Sequence, residues 1–334
     1  MLSPVALAAG DFLTWRIRLP DSGSSSPPCE KGEKRMEQYT TQMDAARRGI
    51  VTKELEIVAK KERMTVEELM PLVAEGKVAI CANKHHTCID PEGVGSMLRT
   101  KINVNLGVSR DCKDYDVEME KVMAAVSMGA HAIMDLSSHG NTIPFRRKLT
   151  AECPAMIGTV PIYDSVIHYQ RDLATLTAKD FIDVVRLHAE DGVDFVTLHC
   201  GITRKTIEQI RKHKRKMNIV SRGGSLVFAW MCMTGEENPF YEYYDEILEI
   251  CREHDVTISL GDACRPGCLA CIRCLSDRRV SKTWRADKTR MGERCTGHGR
   301  RTGTYADGSD RSKYEDPAKH LHGSTILCVR TTCH

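Results

Sequence analysis

Between residues 78 and 260, short apolar runs recur, each followed by polar residues at its carboxyl end and separated from the next by a helical pattern. This recurrence constrains the fold more than any other feature, because strands that alternate with helices form βα units around a parallel sheet. The runs are 78–82, 102–106, 132–136, 156–162, 195–198, 218–220 and 256–260.

The intervening segments carry helix signals of their own. Thr65-Val66-Glu67-Glu68 predicts a capping box ahead of Leu69 and Leu72, since the hydroxyl and the carboxylate each satisfy an orphan amide of the first turn. After Thr177, the positions Phe181, Val184, Val185 and His188 share one helical face, and Gly192 ends the run. Tyr244, Ile247, Leu248 and Cys251 form a second such stripe. The pattern predicts an α/β fold, a (β/α)8 TIM-type barrel that is incomplete here, with about seven βα units. A doubly wound sheet also satisfies it, because seven units do not prove closure.

A chain of 334 residues suits one large domain with extensions. No apolar run is long enough to span a membrane, which argues against a membrane partner and for a cytoplasmic protein. Fifteen cysteines without a cationic signal-peptide region point to a reducing compartment, where thiols and metal ligands are the expected roles. Charge is uneven along the chain. Residues 271–334 carry a net of +7 within a whole-chain total of +3, which leaves residues 1–270 at −4. A nucleic-acid partner would therefore rest on the tail alone, and none is expected for the body.

The residues at the strand ends suggest the chemistry. Asn103 and Asn105 belong to the second run, Met134 and Asp135 to the third, and Tyr163 closes the fourth. His199 follows the fifth, Ser221-Arg222-Gly223-Gly224 the sixth, and Gly261-Asp262-Ala263-Cys264-Arg265 the seventh. In a parallel barrel all of these face one cup. Ser221-Arg222-Gly223-Gly224 combines a hydroxyl, a guanidinium fork and glycines that let backbone amides approach, as a phosphate requires. Asp262 and Arg265 suit ribose hydroxyls or ring nitrogens, and Met134, Tyr163 and His199 can wall a flat heterocycle. Taken singly, such an Asn or His is more often structural, Met134 a core residue and a Gly pair a turn. Six consecutive units with polar groups at the same end set the combination apart, and a phosphorylated, ring-bearing small molecule fits it.

The stretches Asn103-Val104-Asn105-Leu106-Gly107, Ile133-Met134-Asp135-Leu136-Ser137, Ile157-Gly158-Thr159-Val160-Pro161-Ile162-Tyr163, Thr197-Leu198-His199-Cys200-Gly201, Ile219-Val220-Ser221-Arg222-Gly223-Gly224 and Leu260-Gly261-Asp262 with Arg265-Pro266-Gly267 carry a specific likeness. From Thr41-Gln42-Met43-Asp44 onward the sequence resembles the phosphomethylpyrimidine synthase (ThiC) family. The resemblance implies a radical S-adenosylmethionine lyase that rearranges 5-aminoimidazole ribotide into the hydroxymethylpyrimidine phosphate of thiamine. It also implies a 4Fe-4S cluster, S-adenosylmethionine and zinc as cofactors, an external electron donor, and a chain compatible with a homodimer. Carried over by residue, it makes Asn105, Met134, Tyr163, His199, Ser221, Arg222, Gly223, Asp262, Ala263, Cys264 and Arg265 the ribotide contacts. Ala263 and Cys264 replace the family's usual Gly-Leu. The family's zinc motif, Glu-Gly-Pro-Gly-His, and its cluster motif, Cys-x2-Cys-x4-Cys, do not occur in the 334 residues.

Both ends depart from the pattern. Back-translated from permissible codons and read one base later, residues 298–323 give Thr-Val-Glu-Gly-Pro-Gly-His-Met-Pro-Met-Asp-Gln-Ile-Ala-Ala, which holds the missing zinc motif. This predicts a one-base frameshift just after Ala270. Cys268, Cys271 and Cys274 look like a cluster site, but Cys271 and Cys274 lie beyond that break, and these two with His298, His320, His322, Cys328, Cys333 and His334 would then be accidental. At the other end, codons for Lys31-Gly32-Glu33 can spell a ribosome-binding site upstream of Met36. The expected organisation is a non-native leader over 1–35, an N-terminal helical segment over 36–77, a partial barrel over 78–270 and an out-of-frame, disordered tail over 271–334. The competing reading is a non-catalytic barrel that binds a phosphorylated ligand and carries a basic Cys/His-rich tail for metal or RNA.

Overall fold

The computed structural model describes residues 39–212, residues 217–264 and the strand Ile326–Leu327, all within the unit Glu37–His334. Three helices open the chain: α1 Gln42–Arg47, α2 Lys53–Glu62 and α3 Val66–Ala74. The Thr65 capping box forms as the sequence predicts, with Thr65 Oγ1 accepting from Glu68 N and the Glu68 carboxylate from Thr65 N.

Strand β1 (Val78–Ile80) turns back to pair antiparallel with β2 (Gly93–Gly95), Val78 opposite Gly95. The first apolar run is therefore a hairpin strand and not part of the parallel sheet. Its apolar character reflects burial on both sides. Val78 and Ile80 pack with Leu55, Val58, Leu69 and Val73 of the helices, while Ala79 and Cys81 pack with Ala132, Met156 and Phe195.

The parallel sheet follows in sequence order. It comprises β3 (Asn103–Leu106), β4 (Ala132–Asp135), β5 (Met156–Thr159), β6 (Phe195–Leu198), β7 (Thr257–Leu260) and β8 (Ile326–Leu327), each hydrogen-bonded to the next. Helix α4 (Tyr115–Ser127) joins β3 to β4, and α5 (Ile143–Glu152) joins β4 to β5. Helices α6 (Pro161–His168) and α7 (Ala178–Glu190) lie between β5 and β6. Between β6 and β7 come α8 (Arg204–Lys212), α9 (Arg222–Thr234), α10 (Pro239–Glu242) and α11 (Tyr244–His254).

Two expected strands are corrected. The run 156–162 stops being strand at Thr159, because Pro161 lacks an N–H for the ladder and instead opens α6 with a preset φ. Residues 218–220 form no strand. Strand β6 pairs directly with β7 over four residues, from Phe195 opposite Thr257 to Leu198 opposite Leu260, and Asn218 and Val220 are exposed on the way into α9. Of the predicted tail, only β8 is described. It runs parallel to β7 with Ile326 opposite Ile258, and the rest of 271–334 lies outside the described residues, as does the predicted leader.

Strand period two sorts the side chains between two environments. On the helix-facing side, Ile133 and Ile157 meet Met119, Val122, Phe145 and Leu149. Val196, Leu198 and Ile258 likewise meet Phe181, Val185, Trp230, Tyr244 and Ile247. Each such buried side chain contributes roughly 1.5–3 kcal/mol. The opposite faces are left to line a cavity.

Candidate functional site

Strand residues at alternate positions line this cavity of about 410 Å3: Asn103 and Asn105 of β3, Ala132 and Met134 of β4, Phe195 and Thr197 of β6, and Ser259 of β7. Cys81 and Val94 of the hairpin also reach it, and His199, Ser221, Gly261 and Asp262 stand in the loops beyond the strands. The volume suits a small-molecule ligand. The Cys81 thiol is pushed up to about 12 by burial, so it is neutral at physiological pH.

Glycines set the shape. A Cβ at Gly158 would lie 2.1 Å from the Phe195 ring, so the bare backbone of β5 gives that ring its place across the sheet. His199, 5% exposed, is held between two more glycines: a Cβ at Gly223 would come within 2.3 Å of its ring and one at Gly261 within 2.9 Å. A Cβ at Gly224 would meet the Ala263 carbonyl oxygen at 2.7 Å. Close approach at Gly223 and Gly224 thus seats the start of α9 against His199 and against the loop after β7. Asn238 Nδ2 fixes the loop after β6 from behind by donating to the carbonyls of His199 at 3.0 Å and Ile202 at 2.8 Å.

Ser221 is the N-cap of α9, its Oγ accepting from Gly224 N at 3.2 Å. The remaining first-turn amides and the helix dipole make this end of a 13-residue helix favourable for an anion. Arg222, the next residue, is exposed, and its guanidinium carbon lies 4.8 Å from the centroid of the Tyr163 ring. Tyr163 itself stands in the first turn of α6.

A buried ionic network supports that helix. Arg146 donates to Asp164 through Nη1 at 3.0 Å and to Asp191 through Nη2 at 2.8 Å. Asp164 also accepts from Thr142 Oγ1 at 2.6 Å and from His188 Nε2 at 3.0 Å, while His188 Nδ1 faces Thr159 Oγ1 at 2.8 Å. Burial and the nearby Arg146 charge push the His188 imidazole down to about 4, so it is neutral. Burial alone would raise Asp164, but the His188 contact and Arg146 outweigh it and hold the carboxyl well below the usual range. Below the cavity, the Asp194 carboxylate accepts from Asn83 N at 2.9 Å and Ile157 N at 2.7 Å and contacts His86 Nδ1 at 2.7 Å, which ties the hairpin loop to β5. His86 Nε2 faces the Cys153 carbonyl at 2.8 Å and so donates to it. Burial works against a charge on His86, yet the Asp194 contact outweighs it and raises its pKa, while burial pushes Asp194 itself upward.

The sequence matches the model of the Radical SAM ThiC family over residues 41–275. The chain belongs to that family. Similar proteins named phosphomethylpyrimidine synthase include one from Clostridium novyi (strain NT), 62% identical over 231 residues, which cover 69% of this chain and 53% of the relative. The Alkaliphilus oremlandii (strain OhILAs) protein is 61% identical over 233 residues, 70% of this chain and 53% of the relative. The Clostridium botulinum (strain 657 / Type Ba4) protein is 60% identical over 231 residues, again 69% and 53%. The chain spans about half the length of the curated relatives it matches.

Within this ThiC chain the expected contacts separate into groups. Asn105, Met134, Tyr163, His199, Ser221 and Asp262 converge on the cavity. Arg222 stands over Tyr163, and Gly223 shapes the site by making room for the His199 ring. Ala263 and Cys264 are instead buried in the hydrophobic core, because the loop after β7 is pressed against Gly224. Arg265 lies outside the described residues. Sequence reading passed over Phe195, Thr197 and Ser259 as cavity residues, although strict alternation back from His199 and Gly261 points to all three. It also placed His188 on an apolar stripe, where its polar partners leave no local trace.

The described residues do not fit a metal centre. Among them, no group of three or more His, Cys, Asp or Glu could hold an ion. Cys81, Cys153, Cys200, Cys251 and Cys264 are buried, and Cys112 and Cys232 are exposed. Cys268, Cys271 and Cys274 lie outside the described residues. Among the described residues, no helix is long and apolar enough to cross a membrane.

Proposed function

We propose that this chain carries the substrate cup of a radical S-adenosylmethionine lyase acting on 5-aminoimidazole ribotide in thiamine biosynthesis, built on part of a (β/α)8 barrel. One observation carries the reading: six residues from five separate βα segments, Asn105, Met134, Tyr163, His199, Ser221 and Asp262, converge on one cavity in a chain of this family. In that cup Arg222 and the first-turn amides of α9 hold the phosphate, Asp262 takes the ribose hydroxyls, and Met134, Tyr163 and His199 wall the imidazole ring. Five consecutive parallel strands, β3 to β7, with helices between them support the barrel.

A polypeptide with these 334 residues binds the ribotide weakly and turns none over. The lyase needs a 4Fe-4S cluster beside the cup, and the three-cysteine motif that would hold it is not in the sequence. The family match ends at residue 275, which fits a frameshift shortly before that point. The external electron donor and the homodimer belong to the same reading. Titration calorimetry with the ribotide tests the cup: Arg222→Ala should weaken binding, and an unchanged affinity would remove the phosphate role. Anaerobic iron–sulfur reconstitution and an assay for 5′-deoxyadenosine test turnover. No ribotide-dependent product is expected from this chain, and activity should return when one base is restored after the Ala270 codon in the full gene.

A further inference from the structure

Thr197 Oγ1 is buried, yet it has no hydrogen-bond partner among the described residues. The residue sits in the middle of β6, facing the cavity, with Phe195 on one side of it and His199 on the other. Ser259 is its register partner on β7 and also lines the cavity, so two hydroxyl-bearing residues are neighbours on the wall. Around them Met134, Val160 and Phe195 supply a largely apolar lining. A buried hydroxyl without a partner is a standing cost of roughly 1–3 kcal/mol, and native structures keep such a group only for a reason. Thr197 can relieve it by a χ1 rotation that exchanges Oγ1 for the cavity-facing methyl, a move between staggered wells. The backbone on either side of the residue is fixed by the β6–β7 ladder and by Asn238 on the His199 carbonyl, so the side chain can turn without moving the strand.

We propose that Thr197 is a specificity-determining residue of the cup, its hydroxyl turning inward to hydrogen-bond the heterocycle of the ligand beside Ser259. The inference rests on the ribotide reading above. A hydroxyl serves as donor to a ring nitrogen or acceptor from a ring amine, and an amino-substituted azole offers both. The phosphate and ribose lie toward Arg222 and Asp262, so Thr197 reads the ring and not the sugar phosphate.

The test pairs Thr197→Val, which keeps the shape, with Thr197→Ser, which keeps the hydroxyl, both in the full chain. Thermal unfolding should show Thr197→Val more stable than the parent by roughly 2–4 °C, because the orphan hydroxyl is gone. Titration calorimetry should show its affinity for aminoimidazole ribotide weakened about tenfold and its affinity for ribose 5-phosphate unchanged, with Thr197→Ser close to the parent for both. A Thr197→Val chain that is less stable and binds the ribotide as before overturns the proposal, since the hydroxyl would then have a protein partner. An equal loss for ribotide and ribose 5-phosphate overturns it as well, because Thr197 would not be reading the ring. If Arg222→Ala leaves both ligands unaffected while Thr197→Val weakens the ribotide, the phosphate assignment fails and the ring contact stands. Absence of ribotide binding to the parent chain overturns both.

Discussion

The Arg222 guanidinium carbon lies 4.8 Å from the centroid of the Tyr163 ring, which joins the first residue of α9 to the first turn of α6 across the cavity mouth. The contact is a cation–π pair at an exposed site, worth roughly 0.5–1 kcal/mol, too little to lock the side chain. The ring therefore holds Arg222 only loosely beside the start of α9.

Arg222→Ala should weaken ribotide binding by roughly 1.5–3 kcal/mol, the usual loss for a charge-assisted contact. Arg222→Lys should recover only part of it, because an ammonium keeps the charge and loses both the fork and the stacking on Tyr163. Calorimetric titration of the two variants beside the parent measures the difference.

Gly223→Ala should disrupt the site from within. Its Cβ would lie 2.3 Å from the His199 ring, which Gly261 blocks on a second side. Relief of such overpacking costs roughly 1–3 kcal/mol. Denaturant unfolding should show a lower midpoint, and ribotide affinity should drop with it. Gly129→Ala is a useful control: no atom lies within 4 Å of its Cβ, so any loss there reflects only its φ of +92°.

His188 makes its own contribution to the acid side of the stability profile. Its folded pKa of about 4 lies below the ordinary 6.5, so the folded state binds the neutral ring. Stability from this group is complete above pH 6.5 and is lost as the pH falls toward 4, up to about 3 kcal/mol. Asp164, held low by its partners, adds a loss of the same sign at still lower pH. Urea unfolding at pH 7 and pH 4.5 should show the parent losing more stability, or gaining less, than His188→Gln; the difference isolates His188, because the Asp255 carboxyl, raised to about 8 by burial, acts in the opposite direction over the same range.

Arg146→Met should be among the most destabilising single changes. It leaves the Asp164 and Asp191 carboxylates buried without their shared guanidinium, which typically costs about 3–5 kcal/mol. The triple change Arg146→Met, Asp164→Asn, Asp191→Asn should recover part of that loss, as measured by unfolding midpoints.

Helix ends and element types were legible because they depend on neighbours in sequence. The Thr65 box, the Thr177 cap and the positive φ of Gly192 arise from side chains and backbone within a few residues of each other. The polar residues near strand ends were legible for the same reason, and Asn105, Met134, His199, Ser221 and Asp262 do share one cavity. Apolar runs do not state their partners, so the sequence left open that β1 folds back onto β2 and that residues 218–220 stay out of the sheet.

The sequence by itself determined the βα alternation, the helix caps and the kinds of side chain that follow the strands, since each is a matter of local period and residue chemistry. Only the tertiary structure decided which face of each strand looks into the cavity. It placed Thr197 and Ser259 on the wall and sent Ala263 and Cys264 into the core. It also gave His188, Asp164, Arg146 and Asp191 one another as partners across 18 to 45 residues of chain. Register and burial join residues far apart in sequence, and that information lies in no single stretch of the chain.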